Sequence, residues 1–290
     1  MEHVVGLWAW ATWRWARARL FRLFGRGPLC LRLRRIPYRT DLSVVRTLLS
    51  ICRPTLVRLD GGMELWRTSL GDFWAPEGMA PHRVRMIEVE MAANLYGTRE
   101  GVRPGSVVLD CGANLGMFTR SALAQGASRV ICVEPSPLTA ACLRRTFAGE
   151  NRVTVVERGM WDRPGCLHLY THRENPGADL VVPEACEGCV VIEATTIDSL
   201  VRELGLERLD FIKLDIEGSE VRALQGAAGS LRGFRPRLAV STEHTDDILG
   251  NNRAVLETLK ETEPRYEAQC RECHREHWAV TPYVPYFTCS

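Results

Sequence analysis

Lysine is almost missing from this 290-residue chain: it stands only at positions 213 and 260, against 35 arginines. Lys213 is alone in the first 259 residues, which points to a specific need for a primary ammonium there. Long apolar runs are missing too. Val4 to Trp13 gives ten uncharged residues, too few for a bilayer crossing, which takes about 20. No basic segment precedes that run, which argues against a cleaved signal peptide. There is no low-complexity tract and no fixed-period repeat, so neither a solenoid nor a disordered chain is indicated. The G-x-G-x-x-G fingerprint is absent, which argues against a dinucleotide cofactor.

What is present is ordinary globular composition: 46% apolar, 25% charged, formal net charge +2. That length and mixture fit one large α/β domain plus an N-terminal extension. The charge is unevenly spread. Residues 1–60 hold twelve arginines and three acids, so the remainder is net acidic. We divide the chain into a basic, helical extension over 1–60 and a main domain over 61–290, with a core at 82–262 and C-terminal β segments at 263–290. In the extension Trp8, Trp10, Trp13 and Trp15 run into Arg14, Arg17, Arg19 and Arg22. Two readings stand: a helix that caps the domain with solvated arginines, or membrane-surface contact through residues 4–24. The first is preferred, because composition alone is weak evidence for an interfacial helix. A basic arm on nucleic-acid phosphates ranks below both.

Eleven cysteines are many for a reducing compartment, yet without a signal peptide a cytoplasmic location is the default. Cys111, Cys132 and Cys142 sit in apolar contexts, where cysteine behaves as a small hydrophobe. Two C-x-x-C hooks, Cys186–Cys189 and Cys270–Cys273, have the ligand spacing of a structural zinc site. About eighty residues separate them, far more than in a local zinc ribbon. Surface thiols without metal are the favoured reading.

The most informative segment runs from Val107 to Glu134. Ser106 to Leu109 is a short apolar run, expected of a strand covered on both faces. Asp110 follows at its end. Gly112 and Gly116 bracket a turn that permits positive φ or close backbone approach. Asn114 to Gln125 then reads as a helix, with Leu115, Phe118, Thr119, Ala122 and Leu123 on one stripe. A second buried strand, Val130 to Val133, ends at Glu134 and Pro135, where a carboxylate can accept from ribose hydroxyls. Ligands in open α/β sheets bind in the crevice outside such strand ends. Asp110 would repel a pyrophosphate, so a cationic or zwitterionic adenosine compound fits better, and S-adenosyl-L-methionine carries a sulfonium and an amino group.

Around this unit the chain alternates. Leu56–Leu59 and Met63–Trp66, joined by Asp60-Gly61-Gly62, predict a hairpin. Pro81 to Tyr96 predicts an amphipathic helix that Gly97 stops. Strand 106–109, helix 114–125, strand 129–133, helix 137–147 and strand 153–157 imply βαβ units and a parallel sheet. Strands at 166–170 and 190–193 flank a long polar loop that reads as a substrate rim. A helix at 196–204 capped by Thr195 or Thr196, strand 209–214, helix 220–231, strand 238–241, helix 252–261 and short β segments from Tyr266 complete the pattern.

Four segments carry a family resemblance: Asp110-Cys-Gly-Ala-Asn-Leu-Gly116, Glu134-Pro135, Thr195-Thr-Ile-Asp-Ser-Leu200 and Phe211-Ile-Lys-Leu-Asp-Ile-Glu-Gly-Ser-Glu220. Together they resemble the FkbM family of S-adenosylmethionine-dependent methyltransferases, over about residues 82 to 290. The first motif alone indicates only the class I methyltransferase fold; Lys-x-Asp-x-Glu-Gly-x-Glu narrows it. The resemblance implies a Rossmann-like, mostly parallel seven-stranded sheet with helices on both faces. It also implies methyl transfer to a hydroxyl of a sugar, glycan or secondary metabolite. It assigns the glycine turn (Gly112, Asn114, Gly116) to the methionine part of the cofactor, with Asp110 near its amino group. Glu134 takes the ribose, and the turn at Met160, Trp161 and Asp162 takes the adenine. It does not reach residues 1–60 or the cysteine hooks.

At the catalytic end, Lys213, Asp215 and Glu217 fall two apart and share a strand face. A lysine and two carboxylates at a strand end are costly to bury without partners, so they are either catalytic or a structural ion pair. An attacking alcohol must lose its proton, which calls for a general base. Asp215 stands closest to the expected reaction point, and His244 is the better base by its ordinary pKa. A divalent metal on Asp215 and Glu217 is conceivable and is not assigned.

Overall fold

The computed structural model describes residues 34–35, 48–170, 179–182, 184–185, 187–242, 244, 248–270 and 284–289. The Trp/Arg-rich stretch of residues 4–24 lies outside them, as do Cys186, Cys273 and Glu243.

The central sheet contains eight strands: β1 (Arg34–Arg35), β5 (Val107–Cys111), β6 (Arg129–Val133), β7 (Val153–Val156), β12 (Phe211–Leu214), β13 (Arg237–Val240), β14 (Tyr266–Cys270) and β15 (Tyr286–Cys289). Their order is β1-β14-β15-β13-β12-β5-β6-β7. The expected seven strands are there, with the two-residue β1 added in parallel at the β14 edge. The pairs from β13 to β7 are parallel, and β15 runs antiparallel to both β13 and β14.

Strand alternation divides the core into two layers. Val108, Val130, Cys132, Phe211 and Ala239 face one side, against α1 (Pro81–Ala92) and α3 (Met117–Ala124). Leu109, Ile131, Ile212, Leu238 and Val240 face the other, against α5 (Ile197–Glu203), α6 (Glu220–Gln225), α7 (Ala228–Phe234) and α8 (Ile248–Thr262). Asp110 and Lys213 therefore belong to the first face, side by side in the β5–β12 register.

Several boundaries differ from the sequence expectation. The first strand runs on to Cys111, so Asp110 lies within it. The helix after it starts at Met117 rather than Asn114, because Asn114 (φ 48°) and Gly116 (φ 82°) are left-handed. The helix expected over 220–231 is two helices, interrupted at Gly226, where a Cβ would meet the Trp161 carbonyl at 2.3 Å. Thr196 caps α5, its Oγ1 accepting from Ser199 N at 3.0 Å. The hairpin of β2 (Thr55–Asp60) and β3 (Met63–Thr68) gains a third strand, β4 (Gly71–Pro76). Its first strand lies before the boundary drawn at residue 60 and the other two lie beyond it. A further sheet, β10-β9-β11-β8, is built from β8 (Gly159–Met160), β9 (Gly165–Tyr170), β10 (Leu180–Val182) and β11 (Cys189–Thr195). It forms a wall beside the carboxyl ends of β5 and β6. Among the described residues no helix is long and apolar enough to cross a membrane.

Leu109 is 1% exposed and Val191 63%. Leu109→Ala is expected to cost about 2–5 kcal/mol, whereas Val191→Ala should stay within about 0.5 kcal/mol. Urea unfolding of both variants checks the layer assignment; equal effects would contradict it.

Candidate active site

The crevice opens above the carboxyl ends of β5, β6 and β12. Gly112, Asn114, Glu134, Pro135, Met160, Asp179, Val181, Asp215 and Glu217 are among its lining residues, around about 590 Å3 of empty space that includes its open mouth.

Gly112 (φ 75°) has a local reason for being glycine: a Cβ there would come within 1.8 Å of the Asp215 carbonyl oxygen. The close approach that the sequence assigns to a ligand is thus made first by the backbone after β12. Glu134, at the end of β6, accepts from the Asn114 N–H (3.0 Å) and the Ser136 N–H (3.1 Å). Burial pushes its carboxyl up to about 7, against the two backbone hydrogen bonds.

Asp110 and Lys213 do not reach the crevice surface. Asp110 is fully buried, its Oδ2 accepting from the Thr119 hydroxyl at 2.7 Å and its Oδ1 3.2 Å from the Lys213 ammonium. Lys213 Nζ donates to the Gly112 carbonyl at 2.6 Å and stands 3.8 Å from Asp215 Oδ2. The Tyr96 and Phe118 rings lie 5.3 and 5.9 Å from it. Burial works against its charge, but Asp110 and Asp215 outweigh that and raise its pKa, so it stays an ammonium. The sequence left open an ion pair of Lys213 with Asp215 or Glu217; Asp110 stands nearer than Asp215, and Lys213 ties the glycine turn to the end of β12.

Asp215 is held from several sides. Tyr96 donates to its Oδ2 at 2.6 Å, and His244 Nε2 stands 3.4 Å from its Oδ1. Burial is offset by Lys213 and His244, and its carboxyl is held below the usual range. His244 also stands 3.6 Å from Glu217 Oε2 and 3.3 Å from Glu220 Oε1. Burial disfavours the imidazolium, yet Glu220, Asp215 and Glu217 outweigh it and push its pKa to about 10. An imidazolium has no lone pair for a proton, which argues against the base role that the sequence reading gave His244. Its neighbours, three carboxylates, are the reason.

Asp162 stands apart from the crevice lining, its Oδ2 accepting from Arg222 at 2.8 Å. Gly116 is also outside the lining; a Cβ there would meet the Phe147 ring at 2.4 Å. Cys189 is disulfide-bonded, which removes its thiolate from the proposed zinc set. No group of metal-ligating side chains occurs among the described residues.

The sequence reading missed Tyr96, placed as the tail of a helix, and Glu220. Glu220 is fully buried, and its Oε1 accepts from Ile216 N (3.1 Å) and Gly218 N (3.3 Å). A signal existed: a glutamate opening a helix just after a Gly-Ser turn is placed to reach back to free N–H groups.

The pattern of the methyltransferase FkbM domain matches residues 110–266. The chain belongs to the FkbM methyltransferase family. It is 25% identical over 184 residues to the 2-O-methyltransferase NoeI of Sinorhizobium fredii (strain NBRC 101917 / NGR234), covering 57% of this chain and 74% of that protein. It is also 25% identical over 184 residues to the methyltransferase sdnD of Sordaria araneosa, covering 52% and 71%. A solved FkbM methyltransferase from Methylobacillus flagellatus KT superposes with a TM-score of 0.47 and 18% identity, over 85% of this chain and 58% of that one. The protein is thus a methyltransferase whose family pattern spans the glycine turn, Glu134, β12 and His244, and leaves out Tyr96.

The His244 pKa rises from 6.5 to about 10 on folding. Its charge therefore stabilises the fold fully below about 6.5, and that contribution is lost as pH climbs through about 10. The stability gap between wild type and His244→Gln should shrink from pH 6.5 to pH 10 in denaturant unfolding. A gap that widens over that range would contradict the imidazolium.

Proposed function

We propose that this protein is an S-adenosylmethionine-dependent O-methyltransferase acting on a hydroxyl of a sugar, glycan or secondary metabolite. The observation that carries the reading is the charge of the crevice. Glu134, Asp179, Asp215 and Glu217 line it, and the one arginine among its described lining residues, Arg158, already pairs with Glu193 (3.1 Å) and Glu203 (2.5 Å). Such a lining disfavours a pyrophosphate and suits a ligand with a sulfonium and an ammonium. Likeness to the 2-O-methyltransferase NoeI favours oxygen as the acceptor atom.

The residues present fit that cofactor. Glu134 has a buried, acceptor-only carboxylate once ionised, suited to ribose hydroxyls. Gly112 and Asn114 would border the amino acid end, and Met160 and Val181 offer apolar surface for the base. When bound, the cofactor supplies an electrophilic methyl group on sulfur. The chain's own contribution is position and charge: Asp215, pinned by Tyr96 and His244, is a fixed anion that favours a cationic donor. The base that takes the hydroxyl proton is then a carboxylate at the end of β12, since His244 and Lys213 are both cations.

Radiolabelled methyl transfer from S-adenosylmethionine to a panel of methyl glycosides, disaccharides, polyols and macrolide alcohols tests the reading. Labelled product with at least one of them is expected; none, together with no heat of S-adenosylhomocysteine binding, would overturn it. Glu134→Gln should weaken S-adenosylhomocysteine binding about ten- to a hundredfold. Because the Glu134 carboxyl titrates at about 7 and only the anion accepts from both hydroxyls, wild-type affinity should rise as pH passes through about 7. Calorimetry from pH 6 to 8 reads both effects, and a pH-independent affinity would contradict the ribose assignment.

A further inference from the structure

We propose that Glu217 is the general base of the transfer, accepting the proton of the acceptor hydroxyl. This rests on the methyltransferase reading above and names a residue that reading leaves open.

Two carboxylates at the end of β12 line the crevice, and they differ in what surrounds them. Asp215 Oδ2 accepts from the Tyr96 hydroxyl at 2.6 Å, and Lys213 (3.8 Å) and His244 (3.4 Å) flank the carboxylate as ion-pair partners. Cations and hydrogen bonds that stabilise the ionised form make Asp215 the weaker proton acceptor. Glu217 Oε2 faces His244 at 3.6 Å, beyond hydrogen-bond reach, and the side chain is 37% exposed to the crevice mouth.

The turn is built to present this residue. Glu217 is left-handed (φ 54°), followed by Gly218 (φ 97°), a conformation that residues with a Cβ adopt rarely. Glu220 holds it there by accepting from Ile216 N and Gly218 N on either side. Glycine at 217 would relieve the backbone; a glutamate kept at such an angle indicates a task for its carboxylate.

Protonation equilibria support the geometry. The groups facing Glu217 are His244, Asp215, Glu220 and Arg83. Burial and the two acids raise its pKa above the ordinary 4.5, against His244 and Arg83, while Asp215 is pushed the other way. The more basic carboxylate is the more effective proton acceptor near neutral pH.

In the step, the acceptor O–H bond breaks while an oxygen lone pair forms the bond to the methyl carbon. The proton goes to the Glu217 carboxylate, and the carbon–sulfur pair remains on sulfur, leaving a neutral thioether. The deprotonated oxygen thus never carries a full charge, and Glu217 releases its proton to solvent at the crevice mouth.

The test uses the full chain, with the panel alcohol that is methylated fastest as acceptor. Glu217→Gln should lower kcat about 10²–10⁴-fold with S-adenosylhomocysteine affinity nearly unchanged, and should erase the acid limb of the rate profile. Carbon-13 titration of labelled glutamate carboxyls, assigned with that variant, should give a Glu217 midpoint above 4.5. Glu217→Gly should be inactive yet unfold at an equal or higher temperature. A near-wild-type rate for Glu217→Gln, beside an inactive Asp215→Asn, would overturn this inference and leave the methyltransferase reading standing. A lower unfolding temperature for Glu217→Gly, or a midpoint at or below 4.5, would count against it as well. Absence of transfer by wild type to every panel alcohol, together with no heat of S-adenosylhomocysteine binding, would remove both.

Discussion

A single buried ammonium organises the site. Lys213 and Asp110 are neighbours in the parallel register of β12 and β5, on a face otherwise packed with Val108, Phe118 and Phe211. Two charges there are tolerable only together: removing one partner leaves an uncompensated buried charge, at a cost of about 3–5 kcal/mol. Lys213 also holds the Gly112 carbonyl, so the same cation fixes the turn between β5 and α3. Arginine could not replace it simply, because a planar fork does not converge on three oxygens as a compact ammonium does.

From that tie the crevice follows. Gly112 lies against the Asp215 backbone, which brings the ends of β5 and β12 together, and Glu134 locks the adjoining turn through Asn114 N. The carboxylates beyond the tie are then set apart by their surroundings. Asp215, among Lys213, His244 and Tyr96, is a fixed anion; Glu217, mainly desolvated, keeps a raised pKa. His244 makes their closeness tolerable, carrying a positive charge between Asp215, Glu217 and Glu220.

The sheet was legible in the sequence because its strands are short β-branched runs with glycine and helix punctuation, as at Val107 to Glu134. The shared face of Lys213 and Asp215 was also legible from period-two spacing alone. What escaped was everything set by distant contacts. Asp110 could be placed at the end of a strand but not turned inward, since its partner is 103 positions away at Lys213. Tyr96 reaches Asp215 across 119 positions, and no local pattern announces that. His244 was assigned from its ordinary pKa, which holds only when its neighbours are neutral. Asp162 had the composition of an adenine contact, and its use by Arg222 depends on how α6 packs. Local periodicity carries fold; the protonation state of a site depends on who its neighbours turn out to be.

The central claim is that the crevice above β5 and β6 takes an adenosyl donor while Lys213 stays behind it as a tie. A crystal structure of the full chain with S-adenosylhomocysteine tests this most directly. The account predicts the ribose hydroxyls on Glu134, the thioether beside the end of β12, and Lys213 Nζ still on the Gly112 carbonyl with no contact to the ligand. Ligand density elsewhere, or Lys213 swung out to touch it, would contradict the account.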